Sequence, residues 1–265
     1  MPRDQYITGA RSPLVKSGLL SIFRYKGVSL NEPDQALLKN RRKVATAVMR
    51  LLALRYGEPH WRNPLPALDE LISTILSQNT NDRNRDAAFN NLKRVLPSWE
   101  MVRDAHPTQV IDAIRTAGLA NQKGPRIQQV LKEITAERGN LEFGFLAEME
   151  LEQARKWLLH FKGVGPKTAA IVLCFSLGKP AFPVDTHIYR VTGRLQLRDA
   201  RLNVEKTHHY LERIFPQEKY YEAHLNLIRL GREICHPHKP QCPACPLNKI
   251  CPTFLGYGVP SAIKG

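Results

Sequence analysis

Between residues 35 and 234 the chain repeats one pattern, in which apolar side chains recur at steps of three and four through stretches long enough for a helix, with turn residues between them. That spacing lines one stripe of a 3.6-residue helix, whereas the two-residue alternation of a half-buried strand is scarce. The stretches are 35–56, 68–78, 81–95, 107–117, 124–138, 150–161, 167–177, 187–195, 205–215 and 220–234. The expected class is therefore all-α. With 265 residues and 43% hydrophobic content, the chain can fill one large core or two modest ones.

Lys and Arg number 39 against 24 Asp and Glu, a net charge of +15 spread along the chain. Such a field suits a polyanion, although basic proteins of other kinds share the balance. No run approaches the roughly 18 consecutive apolar residues of a membrane span. The first thirty residues mix Asp4 with scattered Arg and Lys instead of forming an apolar leader. A cytoplasmic monomer is expected, nucleoid-associated if bacterial, with no membrane partner.

Five cysteines occur, and Cys235, Cys242, Cys245 and Cys251 fall within seventeen residues in the spacing C-x6-C-x2-C-x5-C. Four thiolates on one short loop are metal ligands rather than the staples of a secreted fold, and on spacing alone zinc and an iron–sulfur cluster are both open. Cys174 sits inside the apolar run 171–175 and reads as core.

Residues 158–170 read Leu-Leu-His-Phe-Lys-Gly-Val-Gly-Pro-Lys-Thr-Ala-Ala. One helix stops at Gly163-Val164-Gly165, and another starts at once. Glycine permits positive φ and close backbone approach, and Pro166 is pre-shaped for the first position of the second helix. The turn would offer bare N–H groups and a positive helix end to a phosphate, or be an ordinary tight corner. Further on, Val184-Asp185-Thr186-His187 opens a helical stretch, with Asp185 placed as its N-cap.

On these residues the chain resembles the helix-hairpin-helix glycosylase superfamily, most closely its endonuclease III branch. The resemblance runs from about Asp69 to Cys251. It implies a catalytic amine at Lys167, directly after the hairpin, and a carboxylate at Asp185 that faces it and steers a proton. It also implies a [4Fe-4S] cluster on Cys235, Cys242, Cys245 and Cys251, with Lys239 on the first loop offering charge to a DNA phosphate. Asn79 would fill the gap left by an extruded base, and Leu119 would act as the intercalating wedge. The branch has glutamine at the Asn79 position and tyrosine at the Ala120 position, so this chain departs from it at both. His187 receives no chemical role.

The implied domains are a basic extension over 1–33 and a cluster lobe from 34–66 with 181–253. A helical barrel over 67–180 carries the hairpin at about 154–177, and a tail covers 254–265. The implied function is a base-excision DNA glycosylase with abasic-site lyase activity, acting on double-stranded DNA with a damaged base, an oxidised pyrimidine above all, or an abasic site. A monofunctional mismatch-type adenine glycosylase is one alternative, but those relatives carry a catalytic glutamate where this chain has Thr74 and lack the hairpin lysine. A non-catalytic DNA-binding iron–sulfur protein is the other, and it leaves Lys167 and Asp185 unexplained.

Overall fold

A computed structural model describes residues 35–59 and 64–256. The extension expected over 1–33 and the tail beyond 256 lie outside the described residues. Among the described residues there is no strand, and the class is all-α. No helix among them is long and apolar enough to cross a membrane.

Helix α1 spans Gln35–Tyr56, followed by α2 Ala67–Ser77, α3 Asp82–Val95, α4 Trp99–Asp104 and α5 Pro107–Ala113. A 3-10 turn at Arg115–Ala117 leads to α6 Ala120–Arg138, then α7 Phe145–Glu148, α8 Leu151–His160, α9 Pro166–Ile171, α10 Thr186–Arg194, α11 Val204–Glu212 and α12 Tyr220–Glu233. Side-chain caps set several starts: Asn81, Ser98, Asp185 and Asn203 each accept from the N–H three residues on. Helices α4 and α7 were not expected from the sequence, since one or two turns are too short to show a repeat. Helix α6 begins four residues earlier than its apolar pattern, carrying Pro125 near its N-terminus.

Buried apolar residues form two clusters. The first gathers Leu71, Ile72 and Ile75 of α2, Leu92 of α3, Ile127, Val130 and Leu131 of α6, and Leu158 of α8. The second gathers Val44, Val48 and Leu52 of α1 with Ile188 and Val191 of α10, Leu211 of α11, and Leu227 and Leu230 of α12. After α9 the chain enters the second cluster at Cys174, returns to the first at Ala181 and passes into the second again at Phe182. At the first of these crossings the helix widens into a π-turn, Val172–Ser176, placing Val172 and Leu173 in the first cluster and Cys174 in the second. Such a one-turn widening re-aims the side chains that follow it. Cys174 is buried, and burial pushes its thiol up to about 12.

One buried ion pair bridges the two bodies. Arg155 of α8 donates to Glu212 of α11 at 2.7 Å, with side-chain exposures of 5% and 14%. The same Glu212 oxygen accepts the Phe182 N–H at 3.0 Å, so one carboxylate also fixes the crossing loop.

Candidate active site

The hairpin turn lies between α8 and α9. Gly163 has φ +93°, and a Cβ there would stand 2.3 Å from Arg126 Cδ and 2.6 Å from its Nε. The conformation demands glycine, and any side chain there would also have to displace Arg126. Gly165 differs: its φ is −96°, it is the N-cap of α9, and a Cβ there would meet nothing within 4 Å. The first glycine thus serves the fold, and the second leaves open space before the helix end. Val164 is buried and its N–H closes the turn on Phe161 O at 3.0 Å. The first bond of α9 runs from Ala169 N–H to Gly165 O, so the Lys167 and Thr168 N–H groups precede any intrahelical acceptor. Gln78 ties the turn down, donating to Gly163 O at 3.2 Å while accepting from Arg126 Nη1 at 3.1 Å.

Lys167 occupies the first turn of α9 and Asp185 caps α10, accepting from Ile188 N–H at 2.7 Å. The two are electrostatic neighbours of one imidazole. His224 of α12 is buried, its Nδ1 pairs with Pro183 O at 2.9 Å, and burial pushes it down to about 4. Asp185 and the Pro183 carbonyl oppose that shift, while Lys167 and Arg232 reinforce it. His208, also buried, pairs with Phe182 O at 2.9 Å, and burial again drives it to about 4. Two neutral imidazoles therefore hold consecutive carbonyls of the loop that delivers Asp185.

A second carboxylate lies within electrostatic reach of the lysine. Asp82, at the start of α3, pairs with Arg232 of α12 at 2.7 Å. Burial works to raise the Asp82 carboxyl, but the Arg232 hydrogen bond and charge, with Arg85 and Lys167 behind, hold it below the usual value. His187 is lowered chiefly by burial, against the pull of Asp185. Sequence reasoning missed His224, Asp82 and Arg232.

Among the described residues, four that are not glycine have positive φ: Asn79 at 52°, Leu119 at 52°, Gln196 at 53° and Lys239 at 49°. Gln196 is explained locally, because the Gln196 and Leu197 N–H groups close back on Gly193 O and Thr192 O to end α10. The other three are residues expected to meet DNA, and each lies outside a helix at a turn or loop. Strained backbone of this kind gathers at functional sites. Leu119 is also 48% exposed, unusual for a large apolar side chain.

The four clustered thiols lie within Coulombic reach of one another. Burial first, then the neighbouring Cys235, Cys251 and Cys242, push the Cys245 thiol up to about 11, against the Leu247 N–H. Arg194 grips the loop, donating to Cys235 Sγ at 3.2 Å, His236 O at 2.6 Å and Pro237 O at 2.8 Å. Backbone N–H groups of Leu247, Thr253 and Phe254 are directed at the Cys245 and Cys251 sulfurs. Crowded thiols, backbone donors and a guanidinium suit a thiolate set that shares a cation. Among the described residues, however, no group of three or more His, Cys, Asp or Glu stands in ligating geometry.

A glycine-turned hairpin between α8 and α9 defines a helix-hairpin-helix protein. The profile of the HhH-GPD superfamily of base excision DNA repair proteins matches residues 72–217, and the chain belongs to that family. A putative DNA glycosylase of Arabidopsis thaliana is 38% identical over 168 residues, 63% of this chain and 57% of that protein. The match thus spans little more than half of the plant relative. Endonuclease III of Thermotoga maritima is 34% identical over 71% of this chain and 84% of its own length. Its Sulfolobus acidocaldarius counterpart is 32% identical over 70% and 81%. A solved non-covalent endonuclease III–DNA complex superposes with a TM-score of 0.70 at 25% identity, covering 82% of this chain and 97% of that one.

Proposed function

We propose that this protein is a DNA glycosylase with abasic-site lyase activity, whose nucleophile is the Lys167 amine. The observation that supports the reading is that Lys167, on a helix of the first core, and Asp185, capping a helix of the second, both act electrostatically on the buried His224. The neutral amine attacks C1′ of the deoxyribose, and the damaged base leaves with the C1′–N bond electrons. The resulting carbinolamine-type adduct opens to a Schiff base, and loss of a C2′ proton expels the 3′ phosphate.

Asp185 commits Oδ1 to its cap, and in this reading Oδ2 takes up and returns the protons of ring opening and stabilises the cationic sugar. Gly163, Val164 and Gly165 seat a phosphate on the hairpin. Asn79 and Leu119 fill the space left by the extruded base, and Lys239 meets a phosphate from the cysteine loop. Cys235, Cys242, Cys245 and Cys251 would hold a [4Fe-4S] cluster, which supplies architecture to the lobe of residues 34–66 and 181–253. DNA with a damaged base or abasic site lies across the cleft between that lobe and the barrel of residues 67–180. Oxidised pyrimidines are the proposed substrates. A duplex panel carrying thymine glycol, dihydrouracil, uracil, 8-oxoguanine and a bare abasic site tests that choice.

Thr74 speaks against the monofunctional alternative, since the residue at that position carries no carboxyl of its own; the nearest, Glu70, lies one turn back and accepts from the Thr74 hydroxyl at 3.4 Å. Single-turnover cleavage of an abasic duplex by Lys167→Gln tests the lysine directly. Undiminished nicking by the folded variant overturns the assignment.

A further inference from the structure

Lys123, in the first turns of α6, is 2% exposed, which is rare for a lysine. Its Nζ donates to Leu76 O at 2.7 Å, Ala117 O at 2.8 Å and Thr80 Oγ1 at 3.1 Å. The Thr80 hydroxyl spends its own proton on Ala117 O, so it can only accept from the lysine. Three acceptors match the three N–H donors of an ammonium ion, whose charge burial works against. The loops it joins are the two that carry the strained residues. Asn79 follows Leu76 by three positions, and Gly118 and Leu119, both at positive φ, follow Ala117.

A buried charge is a poor device for stability alone, since an apolar side chain of like volume commonly serves as well. What an ammonium adds is a fixed three-way geometry. Resting on the reading of Asn79 and Leu119 as gap-filling residues, we propose that Lys123, with Thr80, is a positioning residue. It rivets the two loops into one two-pronged element, so that both side chains enter the duplex at a set separation as the target base leaves. Its place is in base extrusion, ahead of the chemistry at Lys167.

The substitutions Lys123→Met and Thr80→Val test this, the second keeping volume while removing one bridge. Single-turnover excision is measured on whichever lesion duplex the wild-type protein processes fastest, beside strand cleavage of a preformed abasic duplex, where no base has to be extruded. Excision by Lys123→Met should fall on the order of 30-fold to 100-fold, as misplacement by about 1 Å does elsewhere, and abasic cleavage less than about threefold. Thr80→Val should lose about fivefold with the same bias, and it decides the question if Lys123→Met does not fold. Fluorescence of 2-aminopurine beside the lesion reports extrusion without any bond breaking, and its rise should slow in both variants. Equal losses on the two duplexes, or an unchanged fluorescence rise, overturn the proposal. A wild-type protein that extrudes but never cuts an abasic strand would refute the lysine chemistry and leave the rivet standing.

Discussion

The two glycines of the hairpin should separate under mutation. In Gly163→Ala the new residue keeps φ near +93°, which costs about 1–2 kcal/mol for an L side chain. Its Cβ also lands 2.3 Å from Arg126 Cδ, so the arginine has to move. The Arg126–Gln78 and Gln78–Gly163 hydrogen bonds, about 1 kcal/mol each, are then at risk. The total is about 2–4 kcal/mol, or a fall in Tm of about 5–15 °C for a chain of this size. Gly165→Ala has φ −96° and no neighbour within 4 Å. Alanine caps a helix less well than glycine but also lowers unfolded-chain entropy, and the two nearly cancel, to within about 1 kcal/mol. Its methyl instead fills the proposed phosphate seat, and the loss of a helix-end contact worth about 1–2 kcal/mol weakens DNA binding about 5-fold to 30-fold. Urea unfolding followed by circular dichroism, with fluorescence anisotropy on an abasic-analogue duplex, reads both effects. Equal destabilisation by the two substitutions, or tight DNA binding by Gly165→Ala, would refute this division of labour.

Acid should weaken the fold through its buried imidazoles. His208 and His224 sit near 4 in the folded chain against 6.5 when unfolded, so the unfolded state binds the protons first. Their contribution is complete above about pH 6.5 and is lost as the pH falls towards 4, at up to about 1.4 kcal/mol per pH unit for each. Urea midpoints between pH 7.5 and 5 should drop accordingly, and His208→Asn should flatten the slope; an unchanged slope sinks the assignment. Glu212→Gln leaves the buried Arg155 guanidinium with only the exposed Glu152, 3.2 Å from its Nε, and should cost about 2–3 kcal/mol in urea unfolding, with part of the loss recovered in the Arg155→Met, Glu212→Leu double variant. Cys245→Ser should lose most of its iron and visible absorbance, and a purified wild-type protein that carries zinc and no colour contradicts the cluster reading.

The all-helical class was legible because the apolar stripes alone demanded it, and helix α1 emerged with both ends placed. The cap of α10 was equally local, since Asp185 bonds backbone only three residues away. Lys123 was not read, because a lysine out of context is a solvated charge. A signal was nevertheless present: Lys123 stands on the stripe of Ile127, Val130, Leu131 and Ile134, where an exposed residue does not belong. His224 on the stripe of α12 and Arg155 on that of α8 follow the same rule. A polar residue at an apolar helical position is a buried network waiting for partners elsewhere in the chain. Those partners stayed hidden, because Asp82 meets Arg232 across 150 residues and Arg155 meets Glu212 across 57. The hairpin glycines looked equivalent in sequence, and only the fold shows that one is constrained by Arg126 and the other faces open space.

The most direct measurement is reductive trapping. Sodium borohydride added during turnover on a lesion duplex should reduce the Schiff base to a stable amine, leaving a protein–DNA adduct on a denaturing gel whose peptide map ends at Lys167. Strand scission without any adduct, or an adduct that survives undiminished in Lys167→Gln, would contradict the covalent mechanism.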